Sequence, residues 1–450
     1  MFNNIVVDML DVLLICALKD EYDQVLAVTD GLLAPGWVEH PGPRGWIVAD
    51  ASYSTLRGRP LTIRTTWATH MGREQAQAVA SLLIADEPSR CLAMTGICAG
   101  RRDKVALGDV IFADRLWSYD AGKVTMDEGE PRFQGDMLQF RPPPVWIQRM
   151  QQVTVPPQTP WLGSRPGLPL EYQEDWILLQ LAAGRDPRLD DEFHTMCPDW
   201  TSVISRLRDR QWLDKPLALT EVGRSRAEDR ELLYPRGLPA PAGFQVHVAP
   251  IATGAFVAED PGIFPRLATS MRKVLGVEME ASALGALGEI HGVPVVVAKA
   301  VSDYGDSLKD DRYRTFAARA SAECIIALLR RSVDLLPDTG RAIVVNDPHR
   351  ATSALVQSAG TSGMPDDLIR ALAEEYPDVR DARALWERAG GKISDVENIT
   401  RPRDLWQRLW ARSTQGAAVR PVALLRAALA DTPENPTILH YLKLLESALD

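Results

Sequence analysis

Short, almost wholly apolar runs alternate along the chain with segments of helical periodicity. Gly, Asp, Pro or Ser bounds each apolar run. No run shows the alternation of apolar and polar residues that is typical of a strand with one solvent-exposed face. The runs are Val12–Leu18, Cys91–Thr95, Val105–Ala113, Val246–Thr253 and Val293–Val301. The helix-period segments are Gln75–Leu83, Met279–His291 and Tyr313–Leu335. This order predicts an α/β domain with a central, mostly parallel mixed sheet that helices flank on both sides.

Proline-rich stretches interrupt this pattern and enclose a segment of different character. We therefore predict one domain built from residues 1–140 and 244–340, with 141–243 as an insertion. Within the insertion, the amphipathic segment Trp200–Trp212 is followed by Leu219–Ala227, an order that resembles a winged-helix module. A plain helical insertion that decorates the sheet domain is the favoured alternative.

The C-terminal part of the chain carries helix-period signals only. A polar linker is predicted over 341–363, and residues 364–450 are predicted to form a compact all-α domain. Trp386, Trp406 and Trp410 are expected in its core, and an exposed tryptophan docking site is the alternative.

Composition narrows the range of partners. The chain has 60 acidic and 50 basic residues and a formal charge of −10, which disfavours nucleic acid as a partner. Five scattered cysteines indicate reduced thiols and a cytoplasmic protein, and no spacing typical of a metal site or a cofactor motif occurs. Neither a signal peptide nor a run long enough to span a bilayer is expected. Local positive charge in the insertion keeps a nucleic-acid regulator as a third hypothesis; it comes from Arg206, Arg208, Arg210, Arg224 and Arg226.

Carboxylates stand where the predicted strands end. Glu21 follows the first strand, Asp303 follows the last, and Glu280 directly precedes a helix that starts at Ala281. Each acid alone has a local explanation as a helix N-terminal or turn-capping residue. Because ligands of parallel sheets bind beyond the carboxyl ends of strands, their joint placement predicts one cleft.

Six motifs occur in the order of the nucleoside phosphorylase superfamily. They are Ala17–Glu21, Thr95–Gly100, Leu107–Val110, Gly254–Phe256, Val277–Ala281 and Ser302–Asp303. The chain resembles most closely the methylthioadenosine/S-adenosylhomocysteine nucleosidase branch of that superfamily. The Val-Glu-Met-Glu-Ala string and the later Ser-Asp pair are the most specific part of the match.

The resemblance implies a role for each matching residue. Glu21 would activate water, Asp303 would donate a proton to the purine, and Glu280 would hold the ribose hydroxyls. The remaining contacts to the substrate or to Asp303 would come from Met279, Phe256, Ser302, Gly96, Ile97, Cys98 and Val257.

The chemistry of an N-glycosidic bond fits two carboxyl groups in different environments. The sugar gains oxocarbenium character while the leaving purine needs a proton. We expect Asp303, at a buried strand end, to stay protonated, and Glu21, in a loop facing solvent, to stay ionised. Hydrolysis is favoured over phosphorolysis because Lys19 stands beside Asp20 and Glu21, and Met94 occupies a position where phosphorylases carry arginine.

Basic residues follow the second motif at Arg101, Arg102 and Lys104. They are expected either to contact a 5′-phosphate chain, which would make the substrate a nucleotide, or to form a solvated turn. A phosphate-dependent phosphorylase and a catalytically silent nucleotide sensor remain alternatives to the purine nucleosidase.

The tail, Met364–Asp450, resembles an effector-associated domain, a small adaptor of bacterial conflict systems. The resemblance implies docking to a separately encoded protein that carries a similar domain. The nucleosidase resemblance implies a homo-oligomer.

Overall fold

The apolar runs become strands in the first of two units of the chain, Met1–Thr339 and Gly340–Asp450. The protein is described by a computed structural model over residues 10–127, 130–136, 138–255, 260, 262–306, 308–337, 366–393, 396, 399, 401–414, 419–433 and 435–447. The predicted linker over 341–363 lies outside these residues, as do Phe256 and Val257.

Within the described residues, ten strands form the central sheet and four more form two small ribbons. In chain order the strands are β1 Leu10–Cys16, β2 Val38–Pro41, β3 Ile47–Tyr53, β4 Leu61–Trp67, β5 Ser89–Gly100, β6 Val110–Ser118, β7 Gly122–Asp127, β8 Glu130–Gly135, β9 Gln139–Phe140, β10 Leu213–Asp214, β11 Ala218–Leu219, β12 Val246–Thr253, β13 Gly276–Glu278 and β14 Val295–Asp303. The sheet follows the order β13-β12-β6-β14-β5-β1-β4-β3-β2, with β9 paired to β6.

Helices cover both faces of this sheet, so the predicted mixed α/β architecture is confirmed. The helices of the first unit are α1 Lys19–Leu26, α2 Arg73–Asp86, α3 Pro144–Gln151, α4 Leu170–Ala182, α5 Phe193–Met196, α6 Trp200–Asp209, α7 Glu221–Leu233, α8 Ile263–Ser270, α9 Ala281–His291 and α10 Arg312–Arg331. Buried side chains of α1 and α10 form the core on one face, and those of α2 and α9 form it on the other.

The sheet closes on itself instead of remaining open. β13 pairs in parallel with β12 and antiparallel with the end of β5, where Val277 lies opposite Ala99. The strands β5, β14, β6, β12 and β13 therefore form a ring. Residues 95–99 of β5 have neighbours on several sides: Cys16 opposite Thr95 and Asp303 opposite Ala99. Glu21 follows the carboxyl end of β1, Glu280 follows that of β13, and Asp303 ends β14. The acids therefore lie at the carboxyl ends of strands, beside the C-terminal part of β5.

The second unit contains five helices among its described residues: α11 Asp366–Glu375, α12 Val379–Arg388, α13 Pro402–Thr414, α14 Pro421–Asp431 and α15 Pro436–Ser447. Trp386 and Trp406 are fully buried, and Trp410 is 9% exposed in the same apolar cluster. Their predicted core position is confirmed.

Two features are absent from the described residues. No helix there is both long and apolar enough to cross a membrane. No group of three or more His, Cys, Asp or Glu side chains there has a geometry that would hold a metal ion.

Asp109 joins the strands of the ring near the start of β6. Its buried carboxylate accepts hydrogen bonds from the backbone N–H of Ala106 and of Gln245, each at 2.9 Å, and contacts His247 Nε2 at 2.9 Å. Its own backbone carbonyl accepts a bond from the N–H of Val301, in β14.

Asp109→Ala is therefore expected to lower the free energy of unfolding by about 2–4 kcal/mol, because two backbone N–H groups and His247 lose their buried partner. Urea unfolding measures the loss. Asp191→Ala, at an exposed site on the insertion, is the control and should shift stability by less than about 0.5 kcal/mol. Equal unfolding midpoints for the two variants would contradict this role.

Candidate active site

Glu21 lies in the first turn of α1, where the chain turns away from β1. Its carboxylate accepts hydrogen bonds from three backbone N–H groups: Ala17 at 2.8 Å, Leu18 at 3.2 Å and Ile97 at 3.0 Å. Gly96 makes room for it. A Cβ at Gly96, whose φ is 147°, would lie 2.4 Å from Glu21 Oε1, so glycine is required at this position.

The expectation that Glu21 faces solvent is wrong: the side chain is buried, with the residue only 2% exposed. Residues distant in sequence cover it. Burial raises the pKa of Glu21 and Glu280 adds to the rise, whereas Lys299 and the backbone N–H bonds counteract it. A carboxylate whose pKa is raised towards neutrality is a stronger general base than a solvated glutamate.

Lys299, in β14, is the cation of this cluster. It is fully buried, and its Nζ lies 3.3 Å from Glu278 Oε2 and 3.4 Å from Glu280 Oε2. Burial alone would lower the pKa of Lys299, but Glu280, Glu278 and Glu21 outweigh burial and raise it. We did not predict Lys299 from the sequence, although it is the one charged residue in the apolar run Val293–Val301.

The two acids that flank Met279 have different partners. Glu278 is saturated: it accepts bonds from Thr253 Oγ1 at 2.5 Å and from the N–H groups of Glu280 and Ala281. Burial raises its pKa. Glu278 thus caps the start of α9.

Glu280 accepts one backbone bond, from Gly72 N–H at 3.0 Å, and contacts Lys299. Since each carboxylate oxygen accepts two hydrogen bonds, Glu280 keeps capacity for hydroxyl groups of a ligand. Met279, between the two acids, is half-buried.

Asp303 ends β14 and is partly exposed. Its Oδ2 accepts a bond from Ser302 Oγ at 2.8 Å, and its Oδ1 accepts one from Gly305 N–H at 2.8 Å. Ser302 Oγ also lies 3.3 Å from the carbonyl oxygen of Cys98. Because Ile97 binds Glu21 through its N–H, the Ile97–Cys98 segment connects both acids. The contacts to the two acids come from backbone groups of this segment, the Ile97 N–H and the Cys98 carbonyl. The Cys98 side chain is buried.

Helix α10 forms hydrogen bonds with β5 through the side chain of Ser321. The hydroxyl of Ser321 accepts bonds from Thr95 Oγ1 at 2.9 Å and from Gly96 N–H at 3.2 Å. This hydroxyl holds the glycine that admits the Glu21 carboxylate. Ser321 could not be predicted from the sequence, because it is one small residue within a long helix.

Phe256 and Val257 lie outside the described residues, but the residues before them are anchored. Ala255 N–H donates to Asp120 Oδ2 at 2.8 Å, and Arg73 forms two bonds with the Asp120 carboxylate, at 2.7 and 2.9 Å. The ring of Tyr119 lies against Gly254, where a Cβ would be 2.2 Å from it.

The basic residues after β5 have other partners. Arg102 binds Glu171 Oε2 at 2.5 Å and Asp306 Oδ2 at 2.6 Å, so the structure does not support the expected phosphate contact for this residue. Arg101 donates to the carbonyl of Arg272, and Lys104 is exposed. A phosphate contact by Arg101 or Lys104 stays a prediction.

Residues 363–443 match effector-associated domain 1. The resemblance predicted for the tail is therefore confirmed. The chain is similar to the ATP nucleosidase Cap17 of Escherichia coli, with 26% identity over 251 residues that cover 56% of this chain and 38% of Cap17. The protein y4jS of Sinorhizobium fredii is 26% identical over 329 residues, or 72% of this chain and 62% of that protein. The chain thus spans less than two thirds of the length of either relative.

Solved structures of low identity also align with the chain. The methylthioadenosine/S-adenosylhomocysteine nucleosidase of Helicobacter pylori is 12% identical, covers 73% of this chain and 99% of its own, and has a TM-score of 0.43. The S-adenosylhomocysteine nucleosidase of Streptococcus pyogenes is 18% identical, covers 74% and 100%, and has a TM-score of 0.42.

Lys299→Met is expected to leave three buried carboxylates without their cation. The free energy of unfolding should fall by about 3–5 kcal/mol. The pKa of Glu21 should also rise further. A base works when ionised, so activity is present above its pKa and is lost as pH falls through it; the acid limb of the pH–rate profile should therefore move to higher pH.

Lys299→Arg keeps the charge and should keep the acid limb near its wild-type position. Both variants are compared by urea unfolding and by the pH dependence of base release. A folded Lys299→Met protein with an unmoved acid limb would show that the lysine does not control Glu21.

Proposed function

We propose that the first unit hydrolyses the N-glycosidic bond of a purine nucleoside or nucleotide and releases the free base. One observation carries the proposal: the Glu21 carboxylate occupies the three N–H donors of Ala17, Leu18 and Ile97. Backbone donors that converge in this way form an anion site. With the protein's own carboxylate in that site, a phosphate dianion would meet a like charge, whereas neutral water would meet a base.

The other groups fit the same reaction. Water attacks the anomeric carbon as Glu21 takes its proton, and the bond from that carbon to the purine nitrogen breaks. Asp303, held by Ser302 and Gly305, supplies the proton that the leaving purine needs. Glu280, with Met279 beside it, holds the ribose hydroxyls, and Phe256 and Val257 would complete the base pocket.

The similarity to an ATP nucleosidase supports a nucleotide as the substrate, and ATP is the first compound to test. The proposed reaction involves neither a metal nor a cofactor. A homo-oligomer and a cytoplasmic location stay predictions from the sequence.

The match over 363–443 supports an adaptor role for the second unit. We propose that it docks a separately encoded protein with a like domain and places the nucleosidase in a bacterial conflict pathway, where it acts by depleting nucleotides.

The insertion is less suited to nucleic acid than its composition implied. Among the arginines of the insertion, Arg206 and Arg210 bind the buried Glu174, and Arg226 binds Glu171 and Asp175. These three arginines form ion pairs within the protein, whereas Arg208 and Arg224 are exposed. The insertion consists of helices with the two-stranded ribbon β10–β11, and its winged-helix likeness stays a proposal.

Purified protein incubated with ATP, AMP or adenosine in phosphate-free buffer is expected to release adenine, which chromatography detects. Added phosphate should not increase the rate, and the sugar product should carry no 1-phosphate. Base release that depends on phosphate would identify a phosphorylase and refute the hydrolase.

Asp303→Asn removes the proposed proton donor and should lower kcat by about 10²–10⁴ while nucleotide binding persists. Turnover and calorimetric binding are measured on the same preparation, with the exposed Asp191→Asn as control. Wild-type turnover in Asp303→Asn would exclude this aspartate as the acid. Binding without turnover in the wild-type protein would favour the nucleotide sensor.

A further inference from the structure

The insertion contacts the loop that follows Asp303, which runs from Tyr304 to the start of α10. Arg102 connects the two: one of its terminal nitrogens binds Glu171, in α4 of the insertion, and the other binds Asp306, in the loop. Its guanidinium also lies over the ring of Tyr304, 4.4 Å from the centroid. The first loop residue that Arg102 contacts, Tyr304, directly follows Asp303, the proposed proton donor.

A second contact holds the loop a few residues further on. Arg206, in α6, donates to the carbonyl of Lys309 at 2.8 Å and to that of Leu308 at 3.3 Å. The same side chain binds Glu174, whose carboxylate is fully buried. Leu170 N–H, at the start of α4, donates to Asp310 Oδ2 at 3.0 Å. Helices α4 and α6 of the insertion therefore both contact this loop.

The turn after Asp303 links the restrained loop to the Asp303 carboxylate. Gly305 N–H binds the Asp303 carboxylate, and the Gly305 carbonyl accepts a bond from Asp260 N–H at 2.8 Å. The turn between Asp303 and Asp306 therefore lies between the proposed acid and the Arg102 bridge. A shift of the loop would move both its bond to Asp303 and its bond to Asp260.

We propose that the insertion sets the position of Asp303, with Arg102 as the positioning residue that couples the two. The inference rests on the proposed hydrolase function. It assigns the insertion a role in catalysis and assigns Arg102 a role other than phosphate binding. Arg102→Met removes both ends of the bridge, and Glu171→Gln weakens its end on the insertion, so the loop is expected to loosen. Glu171 keeps Arg226 and Arg230 as partners in the first variant, and Arg102 keeps Asp306 in the second.

Arg102→Met and Glu171→Gln break the same bridge from opposite sides. For both, kcat for base release should fall at least about tenfold with KM within about threefold of wild type, because an interaction needed in the transition state is lost. The loss should be the same for ATP, AMP and adenosine. Amide exchange of a peptide spanning 303–312 should be faster in both variants, and Arg102→Lys should restore part of the rate.

Arg188→Met is the matched control, since Arg188 forms an exposed ion pair with Asp186 on the same insertion. It should leave kcat and exchange of the 303–312 peptide unchanged. A rise in KM for ATP but not for adenosine in Arg102→Met, with Glu171→Gln unaffected, would show a phosphate contact and overturn the proposal. Unchanged kcat in both bridge variants would overturn it too.

Amide exchange separates this inference from the proposed function. Wild-type protein that releases no base from any of the three substrates would end the hydrolase proposal. Unchanged exchange of the 303–312 peptide in Arg102→Met and Glu171→Gln would end the positioning proposal alone.

Discussion

Three glutamates can be buried beside one another in this protein because Lys299 lies among them. Carboxylates cost several kcal/mol to remove from water unless a cation or hydrogen bonds replace the solvent. Lys299 contacts Glu278 and Glu280 and lowers the pKa of Glu21 against the effect of burial. The cluster can thus hold the proposed base, Glu21, and the proposed ribose-binding acid, Glu280, close to the same buried cation.

Gly96, in β5, leaves the space that the Glu21 carboxylate occupies. Gly96 has no side chain, so the Glu21 carboxylate reaches the N–H of Ile97. Ser321 holds the same glycine from α10, and the carbonyl of Cys98 lies within reach of Ser302. The C-terminal part of β5 therefore sets the separation of the proposed base and the proposed acid, and side chains on three elements depend on its course.

Local patterns predicted much of this architecture. Continuous apolar runs identified β1, β5, β12 and β14, whereas β3 and β4 were missed. Buried and partly exposed positions alternate in β3, so it contains no continuous apolar run. The run Val105–Ala113 spans a turn as well as a strand, since β6 starts only at Val110.

What the sequence could not predict depends on distant partners. Glu21 is covered by Ile97, 76 residues away, which is why its burial was not foreseen. Arg102 finds its carboxylates 69 and 204 residues away, at Glu171 and Asp306. Only the folded chain shows that these charges neutralise each other. Lys299, by contrast, was visible as a charge within an apolar run.

The most direct measurement is a crystal structure of Asp303→Asn with a bound purine nucleotide. We expect one sugar surrounded by all three groups: Glu280 within hydrogen-bond distance of the ribose hydroxyls, Glu21 facing the anomeric carbon through a water, and residue 303 beside the purine ring. A nucleotide bound elsewhere, or a sugar that contacts only one of these residues, would contradict the central claim.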